Sequence, residues 1–258
     1  LSTDVRTPPA RSLADARPGY WVMWEGMRLT GLRLRDGWRA LPPPARRAWL
    51  LTMGIGLLAC CALALIADVW VRGLERSGAL AWEAEVLRTI ERRGPKFSMA
   101  IFLEPLGNAL LLVPMLFGVA SAAVWGGRPL RALTVVGAFF LADVAVGLGW
   151  LAWNRARPDL IAGGIAAPGL HSFPSGHVAQ AAASFGILVY LWMANTRSRL
   201  ERVFAALCWM GAVGLVALAR LRLGAHWPTD VIAGVVIGLA WLAVSIAALR
   251  RAEALGGR

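Results

Sequence analysis

The sequence predicts an all-α membrane protein, a six-transmembrane-helix bundle preceded by an N-terminal amphipathic segment. Three observations carry this. Apolar runs of about 20 residues, the length needed to span a bilayer as a helix, recur along most of the chain. Charged residues make up 16% of the sequence, where a soluble globular domain would carry about 25%. The basic residues gather at the ends of the apolar runs rather than inside them.

Residues 1–47 form a basic tail in which Trp21, Trp24, Met27, Leu29, Leu32, Leu34 and Trp38 are interleaved with Arg28, Arg33, Arg35 and Arg39. Tryptophan and arginine at this density suit a helix lying in an anionic leaflet, the alternative being an unstructured tail that only sets topology. Pro42-Pro43-Pro44 stops the pattern. No secretory signal is read, because the first apolar run begins near Trp49; Leu1 in place of Met reads as trimming or an alternative start codon. The spans fall at 49–71, 97–125, 132–153, 177–194, 203–219 and 228–249, making residues 48–250 one membrane domain and 251–258 a short tail. Between the first two spans, 73–93 is helical in pattern and mixed in charge, and Gly94-Pro95 ends it. This stretch is expected along the outer surface, roofing the approach of lipid.

Six spans put both termini on one side. Of the 27 basic residues, 17 fall on that side, so the positive-inside rule makes the termini cytoplasmic. The expected location is a plasma membrane, the inner membrane of a bacterium. The net charge of +12 does not point to a nucleic-acid partner, since the arginines form no single stripe. Cys60, Cys61 and Cys208 lie inside apolar runs and read as small apolar side chains, with neither a disulfide nor a metal site.

Chemistry concentrates in two loops. Arg157-Pro158 and Phe173-Pro174-Ser175-Gly176-His177 lie between the third and fourth spans, and Arg220-x5-His226-x3-Asp230 between the fifth and sixth. In a six-span chain both loops face the same side, outward. A phosphate ester needs cations and N–H donors around its oxygens, a nucleophile in line and an acid for the departing alcohol. Arg157 and Arg220 offer forked, permanently charged donors. Ser175 and Gly176 stand where a helix begins and its N–H groups face outward, and Gly176 has no side chain to obstruct an anion. Asp230 follows His226 by four residues and would bond one ring nitrogen if a helix starts at Pro228, leaving the other free to attack. His177 would protonate the leaving oxygen. His171, Arg155 and Trp150 are candidate substrate contacts. Asp143, an acid within a span, is expected to be either functional or held by a hydrogen bond inside the bundle.

Together the three motifs resemble, in order and spacing, the signatures of the type 2 phosphatidic acid phosphatase superfamily, over roughly residues 49–249. The resemblance implies a metal-independent, cofactor-free phosphoric ester hydrolase of lipid phosphates working through a phosphohistidine. His226 would be the nucleophile, Asp230 its orienting carboxylate and His177 the general acid. Arg157, Ser175, Gly176 and Arg220 would hold the phosphate of a lipid arriving from the outer leaflet. A phosphotransferase built on the same core, or a non-catalytic lipid-binding member, are the alternatives. Two positions depart from the family pattern. Trp150 stands where a lysine usually precedes the first arginine by seven residues, and Ala219 where a serine usually precedes Arg220.

Overall fold

A computed structural model describes residues 19–164 and 171–256. The first 18 residues of the basic tail, residues 165–170 of the third-to-fourth loop and the last two residues lie outside the described ones. Among the described residues there are helices and no strand: α1 (Gly19–Ala40), α2 (Pro43–Arg76), α3 (Trp82–Arg93), α4 (Phe97–Leu103), α5 (Ala109–Trp125), α6 (Pro129–Ala152), α7 (Gly176–Asn195), α8 (Arg199–Arg222) and α9 (Pro228–Ala254).

All six expected spans form, as α2, α4 with α5, α6, α7, α8 and α9. Several run longer than the apolar cores that predict them. Pro43 and Pro44 open α2, where a missing N–H costs nothing. At 34 residues α2 is about 50 Å long and overshoots a hydrocarbon core of about 30 Å. Its last turn therefore reaches the level of the loops that carry the motifs. The second span is not one helix. Glu104-Pro105-Leu106-Gly107 form a 3-10 turn between α4 and α5, at the proline that cannot donate to the α-helical ladder.

Helices α6, α7 and α9 are the most buried, whereas α8 is covered on little of its surface. The α7–α9 contact is made by small residues, Gly238 against Ala179 and Ala182 and Gly234 against Ser175, which let the backbones approach closely. Several polar groups inside the bundle find partners. The Trp49 indole donates to Thr134 at 2.9 Å and the Trp241 indole to the Gly137 carbonyl at 3.1 Å. Asp143 accepts a hydrogen bond from Gln180, the structural one of its two expected roles.

The amphipathic segment is the helix α1. Its Leu34 and Trp38 pack into the bundle, and Arg33 lies 3.9 Å from the ring centre of Trp125, whose indole donates to Thr30. Trp21, Met23, Trp24 and Met27 stay exposed on it. At the opposite end α3 follows α2 through a short turn and lies across the mouth of the bundle, contacting α8 and α9.

Candidate active site

At that end the two chemistry-bearing loops meet. The N–H of Ser175 donates to the carbonyl of Asp230 at 3.0 Å, and the N–H of Ser172 to that of Arg155 at 3.1 Å. Helix α7 begins at Gly176 and α9 at Pro228, so Ser175-Gly176-His177 and Asp230 sit on adjacent helix starts. Close approach fixes them. A Cβ on Gly234 of α9 would lie 2.5 Å from the Ser175 carbonyl oxygen, and one on Gly107 2.8 Å from that of His177.

His226 is buried between α8 and α9. Its Nδ1 lies 2.7 Å from the carbonyl oxygen of Ser172. A carbonyl can only accept, so Nδ1 carries the proton and Nε2 keeps its lone pair. Here the structure corrects the expected geometry: the Asp230 carboxylate is 3.8 Å from Nδ1, and a backbone carbonyl orients the ring instead. Burial, aided by the charges of Arg220 and Arg157, pulls the His226 imidazole below its ordinary value; Asp230 opposes this without reversing it.

Asp230 is fully buried and bonded on every side. It accepts from the Ser172 hydroxyl, from Arg155 Nη1 at 2.5 Å and from the Trp227 N–H at 2.7 Å. Arg155 also donates to Glu83 at 2.7 Å, to Glu75 at 3.2 Å and to the Thr229 hydroxyl at 2.8 Å. Glu83 in turn accepts the N–H and the hydroxyl of Thr229, both at 2.8 Å, tying α3 to the first turn of α9. Desolvation opposes the charge of Arg155, but Asp230 and Glu83 outweigh it and hold the guanidinium above its ordinary value. Arg155, a candidate substrate contact by sequence, thus has its donors committed to carboxylates and is no replacement for the missing lysine.

Arg157, Arg220, Ser175 and His177 present a different picture. Among the described residues, the buried Nε atoms of both arginines, the Ser175 hydroxyl and Nε2 of His177 have no hydrogen-bond partner. Arg157 and Arg220 both lie near enough for their charges to act on the His226 ring. Burial also lowers the Arg157 guanidinium from its ordinary value, against the pull of Asp230 and Glu104. Glu104, from the 3-10 turn, accepts from Arg220 Nη1 at 2.8 Å and lies 3.6 Å from His177 Nε2.

Trp150 sits at the lysine position as a clamp. Its indole donates to the Pro174 carbonyl at 2.9 Å, and its ring lies against Gly176, where a Cβ would approach to 3.2 Å. His171 is half-buried with Nδ1 unpartnered. Together with Trp150, Leu148, Leu151, Val144 and Asp143 it lines an apolar groove of about 510 Å³ along α6. Sequence reasoning missed Glu75, Glu83, Glu104, Ser172 and Thr229; acids at Glu104 and Glu83, next to an apolar run and a tryptophan, were the available signals.

The sequence model of the PAP2 superfamily matches residues 131–253. Among solved structures, the chain is similar to the crystal structure of the first transmembrane PAP2-type phosphatidylglycerolphosphate phosphatase from Bacillus subtilis. The TM-score is 0.58 at 19% identity, covering 74% of this chain and 94% of that one, a likeness of fold. No curated protein matches.

Proposed function

We propose, from the match of residues 131–253 to the PAP2 superfamily and from the site geometry, that this chain is a membrane phosphatase of lipid phosphates acting through a phosphohistidine on His226. One observation carries the reading: a buried imidazole with its proton held on Nδ1 by the Ser172 carbonyl, in a site whose guanidinium, hydroxyl and imidazole groups keep atoms without a partner among the described residues.

In the proposed cycle, Arg157, Arg220, Ser175 and the N–H groups at the start of α7 hold the phosphoryl oxygens. Nε2 of His226 bonds to phosphorus as the ester P–O bond breaks, and His177 gives its proton to the departing alcohol oxygen. Water then attacks the phosphohistidine, returns a proton to His177 and frees phosphate and the imidazole. Asp230, anchored by Arg155, balances the charge that develops on the His226 ring. The apolar groove ending at Trp150 and His171 supports sideways arrival of a lipid. The basic count supports cytoplasmic termini and an outward-facing site. The exposed Trp21, Trp24 and Met27 of α1 suit the opposite, cytoplasmic interface.

Purified protein offered a panel of lipid phosphates is expected to release inorganic phosphate, with inhibition by vanadate and none by chelator. His226→Ala abolishes turnover, and His177→Ala, offered an activated ester whose leaving group needs no proton, accumulates a labelled phosphoenzyme. Full activity in both variants would sink the mechanism. Transfer of label to an added alcohol lipid in place of water would instead make the protein a phosphotransferase.

A further inference from the structure

A carboxylate beside a phosphate pocket needs a reason, and Glu104 has been brought there by a break in a membrane span. The 3-10 turn that carries it is pinned by Gly107 against the backbone of His177. Its Oε1 holds Arg220 Nη1 at 2.8 Å and lies 3.6 Å from Nε2 of His177, with the side chain about a quarter exposed. That His177 nitrogen makes no hydrogen bond among the described residues and is the atom that would protonate the leaving oxygen. Glu104 therefore stands on the leaving-group side of the pocket.

The local charge balance makes this position matter. Arg155 is committed to Glu75, Glu83 and Asp230. Only Arg157 and Arg220 remain for an anion, and Arg220 already shares its charge with Glu104. Trp150 adds no charge where the family pattern has a lysine. The pocket holds enough positive charge for one phosphoryl group and sets a negative charge where the rest of the substrate departs.

We propose that Glu104 is a specificity-determining residue that selects lipid phosphomonoesters over lipid diphosphates. The inference rests on the phosphatase reading above. With a monoester, the bond to His226 Nε2 forms as the ester P–O bond breaks, and the proton from His177 leaves a neutral alcohol next to Glu104. With a diphosphate, the bond broken is the bridging P–O bond. The departing lipid monophosphate keeps negative charge on its own phosphate, against the Glu104 carboxylate. Like charges at this range in a site of reduced dielectric oppose each other strongly.

The test compares kcat/KM of the full-length protein on a phosphatidyl monoester and on a polyprenyl diphosphate. The wild type is expected to favour the monoester. Glu104→Gln and Glu104→Ser each narrow the preference by about tenfold, mainly through faster diphosphate cleavage, the size expected for removing one opposing charge near the reacting centre. Glu104→Asp, keeping the charge, retains the wild-type ratio. Competitive inhibition by inorganic pyrophosphate relative to inorganic phosphate strengthens by a similar factor in the two neutral variants. Either variant suffices should the other fail to fold. A ratio unchanged within twofold in active neutral variants, or a wild-type preference for the diphosphate, overturns the role of Glu104 alone. No phosphate release by the wild type from either lipid overturns the phosphatase reading and this inference with it.

Discussion

Arg155 and Asp230 form an ion pair sealed from solvent, Nη1 to Oδ1 at 2.5 Å, with side-chain exposures of 3% and 0%. The pair joins the loop after α6 to the first turn of α9, and Glu83 and Glu75 complete the cage around the guanidinium. Asp230 is thereby held immobile one layer behind His226.

Removing Arg155 leaves the buried Asp230 and Glu83 without their cation. Breaking a buried pair from one side typically costs about 3–5 kcal/mol. Arg155→Ala is expected to lower the melting temperature in detergent markedly and to cut kcat by about ten- to a hundredfold, the size of loss that follows removal of an orienting group behind a functional side chain. Near-wild-type melting would show that the cage carries no stability.

Trp150 invites the substitution that restores the family lysine. The structure predicts that Trp150→Lys does not raise activity, because the indole holds the Pro174 carbonyl and packs on Gly176. Trp150→Phe, which loses the hydrogen bond and the indole edge against Gly176, should cost at least about 1 kcal/mol, and Trp150→Lys more. Activity of Trp150→Lys above wild type on any lipid phosphate would mean that the lysine, once present, reaches the pocket.

The pH profile has a predicted sign. Burial, helped by Arg220 and Arg157, places the His226 imidazole below the ordinary 6.5. The neutral, nucleophilic form then persists as pH falls through 6.5, and the limb of kcat/KM due to this ring drops only below it. Phosphoenzyme formation measured in the His177→Ala background isolates that limb. A midpoint at or above 6.5 contradicts the burial argument.

Gly234 has no room for a side chain, since a Cβ would meet the Ser175 carbonyl at 2.5 Å. Gly234→Ala should push the start of α7 away from α9, at about 1–3 kcal/mol of overpacking strain. A rise in KM together with a fall in kcat is the expected signature of a displaced phosphate cradle.

Much of this was legible in the sequence because membrane spans are written as uninterrupted apolar length, and six of them place both motif loops on one face. Pro228 and Gly176 marked helix starts by local rules and open their helices as expected. What escaped was long-range. Glu83 and Glu75 meet Arg155 across 72 and 80 residues of sequence, and Glu104 meets Arg220 across 116, through packing that no spacing rule encodes. The carbonyl that orients His226 belongs to Ser172, and a backbone atom has no side-chain signature. Pro105 hinted at the interruption of the second span, yet an apolar run containing proline also occurs as an ordinary membrane helix.

Glu75, Glu83 and Glu104 all precede residue 131, where the family match begins. The part of the chain bearing the recognisable motifs is therefore not electrostatically self-sufficient. Grafted onto the first two spans of another member, residues 131–253 would keep every signature residue while their arginines lost these counter-ions. Two chains sharing the same motifs can then differ in which anions they tolerate. In such a chimaera, selectivity would follow the donor of the front half, and the chemical step the donor of the back.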